Sequence, residues 1–266
     1  FAHSANKGFS VAEGEYTLFL NSDTIIIPGE VQKMIHYMNE HEDVAICGPQ
    51  LVYPDMKLQR SYAAIPSLGT EFGARCKVQG PGYKVQGSRC KVQGREASDN
   101  EPLTLNLEPS STHCAFNAYD VPSLIGAAIL VRSDFARKVN GFDERFFFFL
   151  EETDLCVRMK DAGGKIVFLQ DARVIHLQGK TVRKSWIDGR IEYNISLNKF
   201  IGKHHSSIYY NTFKTVRFLK AFFSMLVFPM LLGDRTTRMR YRYYVRLFCW
   251  YLRGCSDDSG IRRRQG

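Results

Sequence analysis

The sequence lacks several features that would define its class at once. Its seven cysteines are scattered and include no Cys-x-x-Cys pair, which argues against a zinc ribbon or a dense disulfide framework and favours a reducing compartment. No apolar run reaches the roughly 20 residues that a membrane-spanning helix needs. The sequence opens with neither an initiator methionine nor a signal peptide, so we expect it to be part of a longer chain. A composition of 44% hydrophobic and 24% charged residues argues against wholesale disorder.

The positive charge is confined to the C-terminal third of the chain. Residues 183–266 hold 17 Lys and Arg against 5 Asp and Glu, whereas residues 1–182 hold 19 against 22. This asymmetry indicates two parts with different tasks. We expect one domain over residues 1–182, a helical extension over 183–211 and a basic helical tail over 212–266.

Short apolar runs alternate with helical patterns through the first part. The order of strand, helix and strand is typical of an α/β sheet with flanking helices. The predicted strands are residues 15–21, 44–47, 125–131, 165–169 and 172–176. The predicted helices are residues 29–40, 133–139 and 153–162, followed by a helical region from residue 191.

Residues 74–111 interrupt this pattern. Lys-Val-Gln-Gly occurs there three times, at residues 77–80, 84–87 and 91–94. A repeat with one aliphatic residue and at least one glycine is a poor helix former, so we predict a low-complexity, disordered insertion. Its two cysteines, Cys76 and Cys90, either bind a ligand or have no role of their own.

The tail combines aliphatic, aromatic and basic residues. Residues 218–232 are almost entirely apolar but number only 15, so they fit a membrane interface or a helical hairpin better than a span. Residues 240–253 interleave arginine with aromatics, which suits anionic headgroups. Arginine and tyrosine also suit nucleic acid, but the long aliphatic run argues against that partner.

Three sets of polar residues are candidates for chemistry. Asn21-Ser22-Asp23 ends a predicted strand, where a carboxylate either holds Mg²⁺ or Mn²⁺ or caps the next helix. Glu151, Glu152 and Asp154 precede a predicted helix whose N-terminus would keep them ionised, either as a general base or as simple charge complementarity. His176 ends another strand and is either structural or a ligand for metal or phosphate.

The first of these sets belongs to a longer resemblance. Residues 1–24, FAHSANKGFSVAEGEYTLFLNSDT, resemble the central stretch of glycosyltransferase family 2, whose members typically read G-F-x-x-A-N-N-x-G-x-x-x-A-x-G-x-Y-x-L-F-L-N-P-D-T. Residues 126–179 resemble the acceptor-side block of that family, and residues 198–205 resemble the segment that follows it in bacterial rhamnosyltransferase-like members. The resemblance implies an inverting enzyme with a GT-A (Rossmann-like) mixed sheet and flanking helices, followed by C-terminal basic and aromatic helices.

The resemblance implies a donor site around Asp23. Asp23 matches the metal-binding Asp of the D-x-D-type motif, and His176 matches the histidine of an H-x-x-G motif close to the metal and diphosphate. Asn21, Ser22 and Asn6 fall at other positions of the donor site. The implied cofactor is Mg²⁺ or Mn²⁺, and the implied donor is a nucleotide sugar. The family's first β-α-β unit would precede Phe1, so the resemblance also implies a partial donor site and a partial or inactive chain.

The resemblance implies an acceptor site at residues 151–154. Glu151-Glu152 matches the E-D of the E-D-x-D motif, and Asp154 matches its last Asp. Glu152 would be the general base toward a glycan or lipid-linked acceptor, with one methylene more than the family's Asp. The expected setting is cell-envelope polysaccharide or O-antigen synthesis at the cytoplasmic face of the inner membrane, reached through residues 212–266. The alternative is a membrane-surface module that has lost catalysis.

Overall fold

The computed structural model describes residues 1–73, 77–78, 91–92, 116–177, 186–228 and 235–261. Apart from the two dipeptides at 77–78 and 91–92, which pair as short parallel strands, the predicted insertion lies outside the described residues. So do Cys76, Cys90 and the Gly179 of the H-x-x-G motif. The predicted disorder of the insertion therefore stays a prediction.

The described chain contains ten strands and eight α-helices. In chain order they are α1 (Ala2–Ser10), β1 (Tyr16–Leu20), β2 (Thr24–Ile26), α2 (Glu30–Glu40), β3 (Val44–Val52), β4 (Tyr62–Ala63), α3 (Leu68–Glu71), β5 (Lys77–Val78), β6 (Lys91–Val92), β7 (Ala118–Asp120), β8 (Ser123–Leu124), β9 (Ala128–Arg132), α4 (Ser133–Lys138), α5 (Glu151–Asp161), β10 (Lys165–His176), α6 (Trp186–His204), α7 (Ser207–Val227) and α8 (Arg235–Leu252).

A mixed six-stranded sheet forms the centre of the fold. Its order is β1-β9-β3-β10-β2, and β7 pairs with β10 off this path. The central β3 is buried along its whole length and runs parallel to β10, as expected for a strand covered on both faces. The predicted α/β class with flanking helices is confirmed.

β3 continues beyond the Gly48-Pro49 pair at which the sequence predicts its end. A Cβ at Gly48 would lie 2.6 Å from a methyl of Leu124, so glycine is what lets this side chain close over the strand. Pro49 pairs with Leu169, next to an irregularity in the β3–β10 register. A strand accommodates proline best where regular pairing is interrupted. The two strands predicted at 165–169 and 172–176 are one continuous strand, β10, and the irregularity lies where the sequence predicts the break between them.

The helices α6, α7 and α8 pack against one another. Leu247 and Trp250 of α8 are buried with Ile191 and Ile195 of α6 and Ala221 of α7. The run at 240–253 therefore supplies part of this helical core, while the contact of its other residues with lipid headgroups stays a prediction. Among the described helices, none is long and apolar enough to cross a membrane.

Candidate active site

Three loops meet at one edge of the sheet. The turn after β1 carries Asp23, whose carbonyl accepts a 2.8 Å hydrogen bond from the amide of Leu177, just past His176. The amide of Asn21, in the same turn, donates to the carbonyl of Ala127 over 2.9 Å. Because Ala127 follows Gly126, these backbone contacts tie the Asp23 turn to the segment that packs on α5.

His176 faces Asp23 across 3.5 Å, measured from Nε2 to Oδ2. On the other side of the ring, Nδ1 lies 3.1 Å from Oε1 of Gln59. The Gln59 amide nitrogen is already committed, since it donates to the carbonyls of His176 at 2.6 Å and Val52 at 3.2 Å. Its oxygen can therefore only accept from His176, which places a ring proton on Nδ1, so that in the neutral ring the Nε2 lone pair points toward Asp23.

This donor set fits a divalent cation. A lone pair and a carboxylate oxygen facing each other at 3.5 Å repel unless a proton or a cation lies between them. Imidazole nitrogen with carboxylate oxygen suits Mn²⁺, and the Gln59 contact is the outer-shell partner that metal-binding histidines usually have. No group of three or more His, Cys, Asp or Glu side chains among the described residues could hold a metal ion. The described protein thus supplies two ligands, and the remaining ones would come from a ligand or water.

Glu152 packs against Gly126, the residue before Ala127. A Cβ added to Gly126 would be 3.2 Å from Cβ of Glu152 and 3.5 Å from its carboxyl carbon. A larger residue at position 126 would therefore force the Glu152 side chain to shift by a few tenths of an ångström. The helix α5 begins at Glu151, two residues before the predicted start, so Glu151 and Glu152 occupy its first turn.

A strained turn sets this helix start. Phe149 and Leu150 both have positive φ, at 69° and 65°, which costs bulky residues about 1–3 kcal/mol each. Packing stabilises this strained conformation, because Leu150 is buried in the same hydrophobic cluster as Phe200 of α6. The hydroxyl of Ser196, also on α6, donates to the carbonyl of Phe148 over 2.7 Å. α6 therefore holds the acidic pair in place from behind.

Burial decides the protonation of the acidic pair. It raises the pKa of Glu152 to about 8, with the charge of Glu151 adding to the shift and the amides of Glu152 and Gly126 opposing it. Burial also raises the pKa of Glu151, whose Oε2 has no hydrogen-bond partner among the described residues. Burial thus opposes the helix N-terminus at both groups, because a helix dipole contributes only about 0.3–1 kcal/mol.

Asp154 has a different environment. Its carboxylate is fully buried and contacts Arg158 Nε at 2.7 Å, Lys203 Nζ at 2.7 Å and His204 Nε2 at 2.8 Å. Burial alone would raise the pKa of Asp154, but the hydrogen bonds from His204 and Lys203 and the charge of Arg158 hold it below its usual range. Both of its oxygens are engaged, so Asp154 joins α5 to α6, and the catalytic role predicted for it stays a prediction.

Asp154→Asn is expected to lower the free energy of unfolding by about 3 kcal/mol at pH 7, since it leaves buried cations without their counter-charge. The difference should shrink below pH about 4, where the unfolded Asp binds a proton and the parent loses the same interaction. Denaturant titrations at several pH values measure this. Asp134→Asn is the matched control, because its partner Arg137 is half exposed. Equal losses in both variants would contradict the assignment.

The other predicted donor-site residues are placed as follows. Asn21 is half-buried in the Asp23 turn, and Ser22 is exposed beside it. Asn6 uses its amide on a separate loop, donating to the carbonyl of Phe142 at 2.9 Å and accepting from its amide at 2.9 Å. The structure therefore brings Asn21, Ser22, Asp23 and His176 together and turns Asn6 toward residues 142–144.

Comparisons with known proteins agree with the sequence resemblance. Residues 1–94 match the model of glycosyl transferase family 2, the family that the sequence resembles. The N-acetylglucosaminyl-diphospho-decaprenol L-rhamnosyltransferases of two Mycobacterium tuberculosis strains, CDC 1551 / Oshkosh and ATCC 25618 / H37Rv, are 24% identical over 192 residues. That stretch is 72% of this chain and 56% of theirs. The chain thus spans little more than half the length of these relatives.

Two solved structures are more distant. The mannosyltransferase PcManGT from Pyrobaculum calidifontis, in complex with GDP-Man and Mn²⁺, is 9% identical with a TM-score of 0.43, over 77% of this chain and 44% of its own. GalNAc-T7 with UDP, GalNAc and Mn²⁺ is 14% identical with a TM-score of 0.45, over 97% of this chain and 43% of its own.

Proposed function

From the premise that residues 1–94 form a family 2 glycosyltransferase region, we propose that this chain moves a sugar from a nucleotide-sugar donor to a hydroxyl of a glycan or lipid-linked acceptor, on a GT-A sheet. The observation that carries the proposal is that the turn with Asp23, which faces His176, is bonded to Ala127, while Glu152 packs on the adjacent Gly126. The curated relatives are rhamnosyltransferases named for a lipid diphosphate, which favours a lipid-linked acceptor of that kind.

On the donor side, Asp23 and His176 would hold Mg²⁺ or Mn²⁺. Such an ion neutralises negative charge that develops on a nucleoside diphosphate leaving group. Gln59 keeps the ring proton of His176 on Nδ1 and so presents Nε2 to the site. The exposed Ser22 and the half-buried Asn21 are placed to line the donor beside this pair.

On the acceptor side, Glu152 would accept the proton of the attacking hydroxyl. A base works best with a pKa near the working pH, which the pKa of about 8 provides. The acceptor oxygen would attack the anomeric carbon as the diphosphate leaves, inverting the configuration in one displacement. Glu151 raises the basicity of Glu152 through its charge, and the α6 contacts fix the turn before both residues.

We further propose that the acceptor is used at the cytoplasmic face of the inner membrane, in the synthesis of a cell-envelope polysaccharide such as O-antigen. The lipid diphosphate in the name of the curated relatives and the basic C-terminal third support this setting. The membrane would be contacted through part of residues 212–266.

The test is release of nucleoside diphosphate from a panel of nucleotide sugars, with N-acetylglucosaminyl-diphospho-polyprenol as acceptor and Mn²⁺ or Mg²⁺ present. We expect release with at least one donor, with a rate that rises with pH and levels off above about 8, as Glu152 loses its proton. A flat pH profile would contradict Glu152 as the base. No release with any donor would favour the second candidate function, a membrane-surface module without catalysis. The exposed apolar residues at the end of α7 support that candidate.

A further inference from the structure

The outward side of α7 changes character along its length. Exposed positions in the first half are mainly polar, namely Asn211, Thr212 and Thr215. Exposed positions in the last turns are Leu219, Phe223, Leu226 and Val227, at 43%, 58%, 52% and 52% exposure. Their spacing of four, seven and eight residues puts them on one face of the helix. These four residues do not pack into the helical core, because α7 contributes Ala221 to that core from a different face of the helix.

Phe72 extends this apolar surface across to the end of α3. It is 77% exposed and shares a cavity of about 430 Å³ with Val216 and Leu219. Glu71, the residue before it, is held to α7 by ion pairs with Arg217 and Lys220. Phe72 is thus fixed beside the helix. Phe72, Leu219, Phe223, Leu226 and Val227 together form what we call the apolar α7 face.

Basic side chains lie near the end of α7 that carries the apolar α7 face. α8 runs antiparallel to α7, as shown by ring contacts of Phe228 with Tyr244 at 5.3 Å and of Phe218 with Phe248 at 5.2 Å. The turns of α8 before Tyr244 therefore lie alongside and beyond the end of α7. They carry three exposed arginines that make no ion pair with the described residues, Arg238, Arg240 and Arg242.

We propose that the apolar α7 face inserts into the interfacial region of an anionic lipid membrane, with these three arginines and Lys220 on the headgroups. Exposed aliphatic and phenyl groups flanked by exposed cations are the composition of an interfacial anchor. The charge complementarity selects a membrane over an apolar protein partner. The inference rests on the proposed function and deepens it, since membrane insertion would bring the Glu152 site to a lipid-linked acceptor. It also limits the membrane contact predicted for residues 212–266 to the end of α7 and the start of α8.

Sedimentation of the full chain with vesicles tests this, using phosphatidylcholine with and without about 30% phosphatidylglycerol. We expect binding only to the anionic vesicles, and a loss of at least about tenfold in the triple variant Phe223→Ser, Leu226→Ser, Val227→Ser. Each arginine changed to Gln should cost about fivefold. Ile208→Ser is the matched control, because Ile208 is 82% exposed on the polar half of the same helix, and it should bind like the parent. Binding of the triple variant at the parent level would overturn the proposal.

Tryptophan emission identifies what covers the face. Phe223→Trp should emit as a water-exposed indole in buffer and shift to the blue with anionic vesicles, whereas Ile208→Trp should not shift. A blue-shifted Phe223→Trp in buffer alone, unchanged by vesicles, would mean that another part of the chain covers the face and would overturn the proposal. A concentration-dependent dimer lost in the triple variant would overturn it too, because a second copy would then cover the face. Neither donor nor acceptor is present, so failure here is distinct from failure of glycosyl transfer.

Discussion

Glu152→Gln is expected to lower the rate of nucleoside diphosphate release by about 10²–10⁴-fold, the usual contribution of a positioned general base. Glutamine keeps the shape that lies against Gly126 but cannot accept a proton. The Michaelis constant for the donor should change little, because the Asp23–His176 pair is untouched. Glu152→Asp should keep measurable activity, since it retains the carboxylate one methylene shorter. Equal rates for Glu152→Gln and the parent would rule out Glu152 as the base.

The same substitution should stabilise the fold at alkaline pH. The pKa of Glu152 is about 8 in the folded chain against an ordinary value of 4.5. Between these values the folded state binds the proton more tightly, so the free energy of unfolding falls as pH rises through this window. The glutamine side chain of the variant has no charge to bury, and we expect a gain of up to about 5 kcal/mol near pH 8.5 that disappears below about pH 4.5.

Thermal melts of both proteins from pH 4 to 9 measure that gain. The exposed Glu42→Gln is the control and should show no pH-dependent difference. A gain in stability combined with a loss of rate separates a catalytic carboxylate from one that only holds the helix start. If the carboxylate of Glu152 were purely structural, its replacement would lower the free energy of unfolding. Loss of stability at every pH would therefore contradict the assignment even if the rate fell.

The sequence predicts those parts of the site that lie next to strand ends. Asp23 and His176 each follow or end an apolar run, and strand ends collect at sheet edges, so their proximity is a local property. The family resemblance adds the role of Glu152. The helix α2 is predicted well too, with Glu30–Glu40 observed against residues 29–40 expected, because its apolar period and preceding Pro28-Gly29 are local signals.

What the sequence does not predict depends on contacts between distant residues. Gln59 lies 117 positions from His176 in a stretch without a motif, so nothing local marks it as the partner that sets the histidine tautomer. Asp154 matches a catalytic motif, yet His204, 50 positions away, helps to saturate its carboxylate. The pKa of Glu152 follows from burial against Gly126, which propensity and charge pattern do not encode.

For the C-terminal helices, too, the sequence does not predict which residues form the exposed surface. Aromatic and basic residues at 240–253 are typical of an interfacial helix, but the side that faces outward depends on how α8 packs. Tyr243, Leu247 and Trp250 turn out to be buried, while Arg242 is exposed. Composition therefore indicates the kind of partner, and only packing identifies the residues that are left to meet it.

Asp23→Ala is expected to weaken Mn²⁺-dependent binding of a nucleoside diphosphate by at least about tenfold and to lower transfer by about 10²–10³-fold. The variant removes the only carboxylate that faces His176 in the described chain at 3.5 Å, and one imidazole nitrogen alone is a weak site for Mn²⁺. Calorimetric titration of the diphosphate with and without Mn²⁺ measures binding without turnover. Asp55→Ala, an exposed carboxylate paired with Lys57, is the control and should behave as the parent.

Gln59→Leu extends this test to the second contact of the ring. Leucine cannot accept the Nδ1 proton of His176, so the ring is free to put its proton on Nε2, the atom that faces Asp23. Loss of such an outer partner typically costs about 10–100-fold in metal affinity. Mn²⁺ binding followed by electron paramagnetic resonance should weaken in Gln59→Leu and further in Asp23→Ala. Unchanged Mn²⁺ binding in both variants would mean that the Asp23–His176 pair holds no metal.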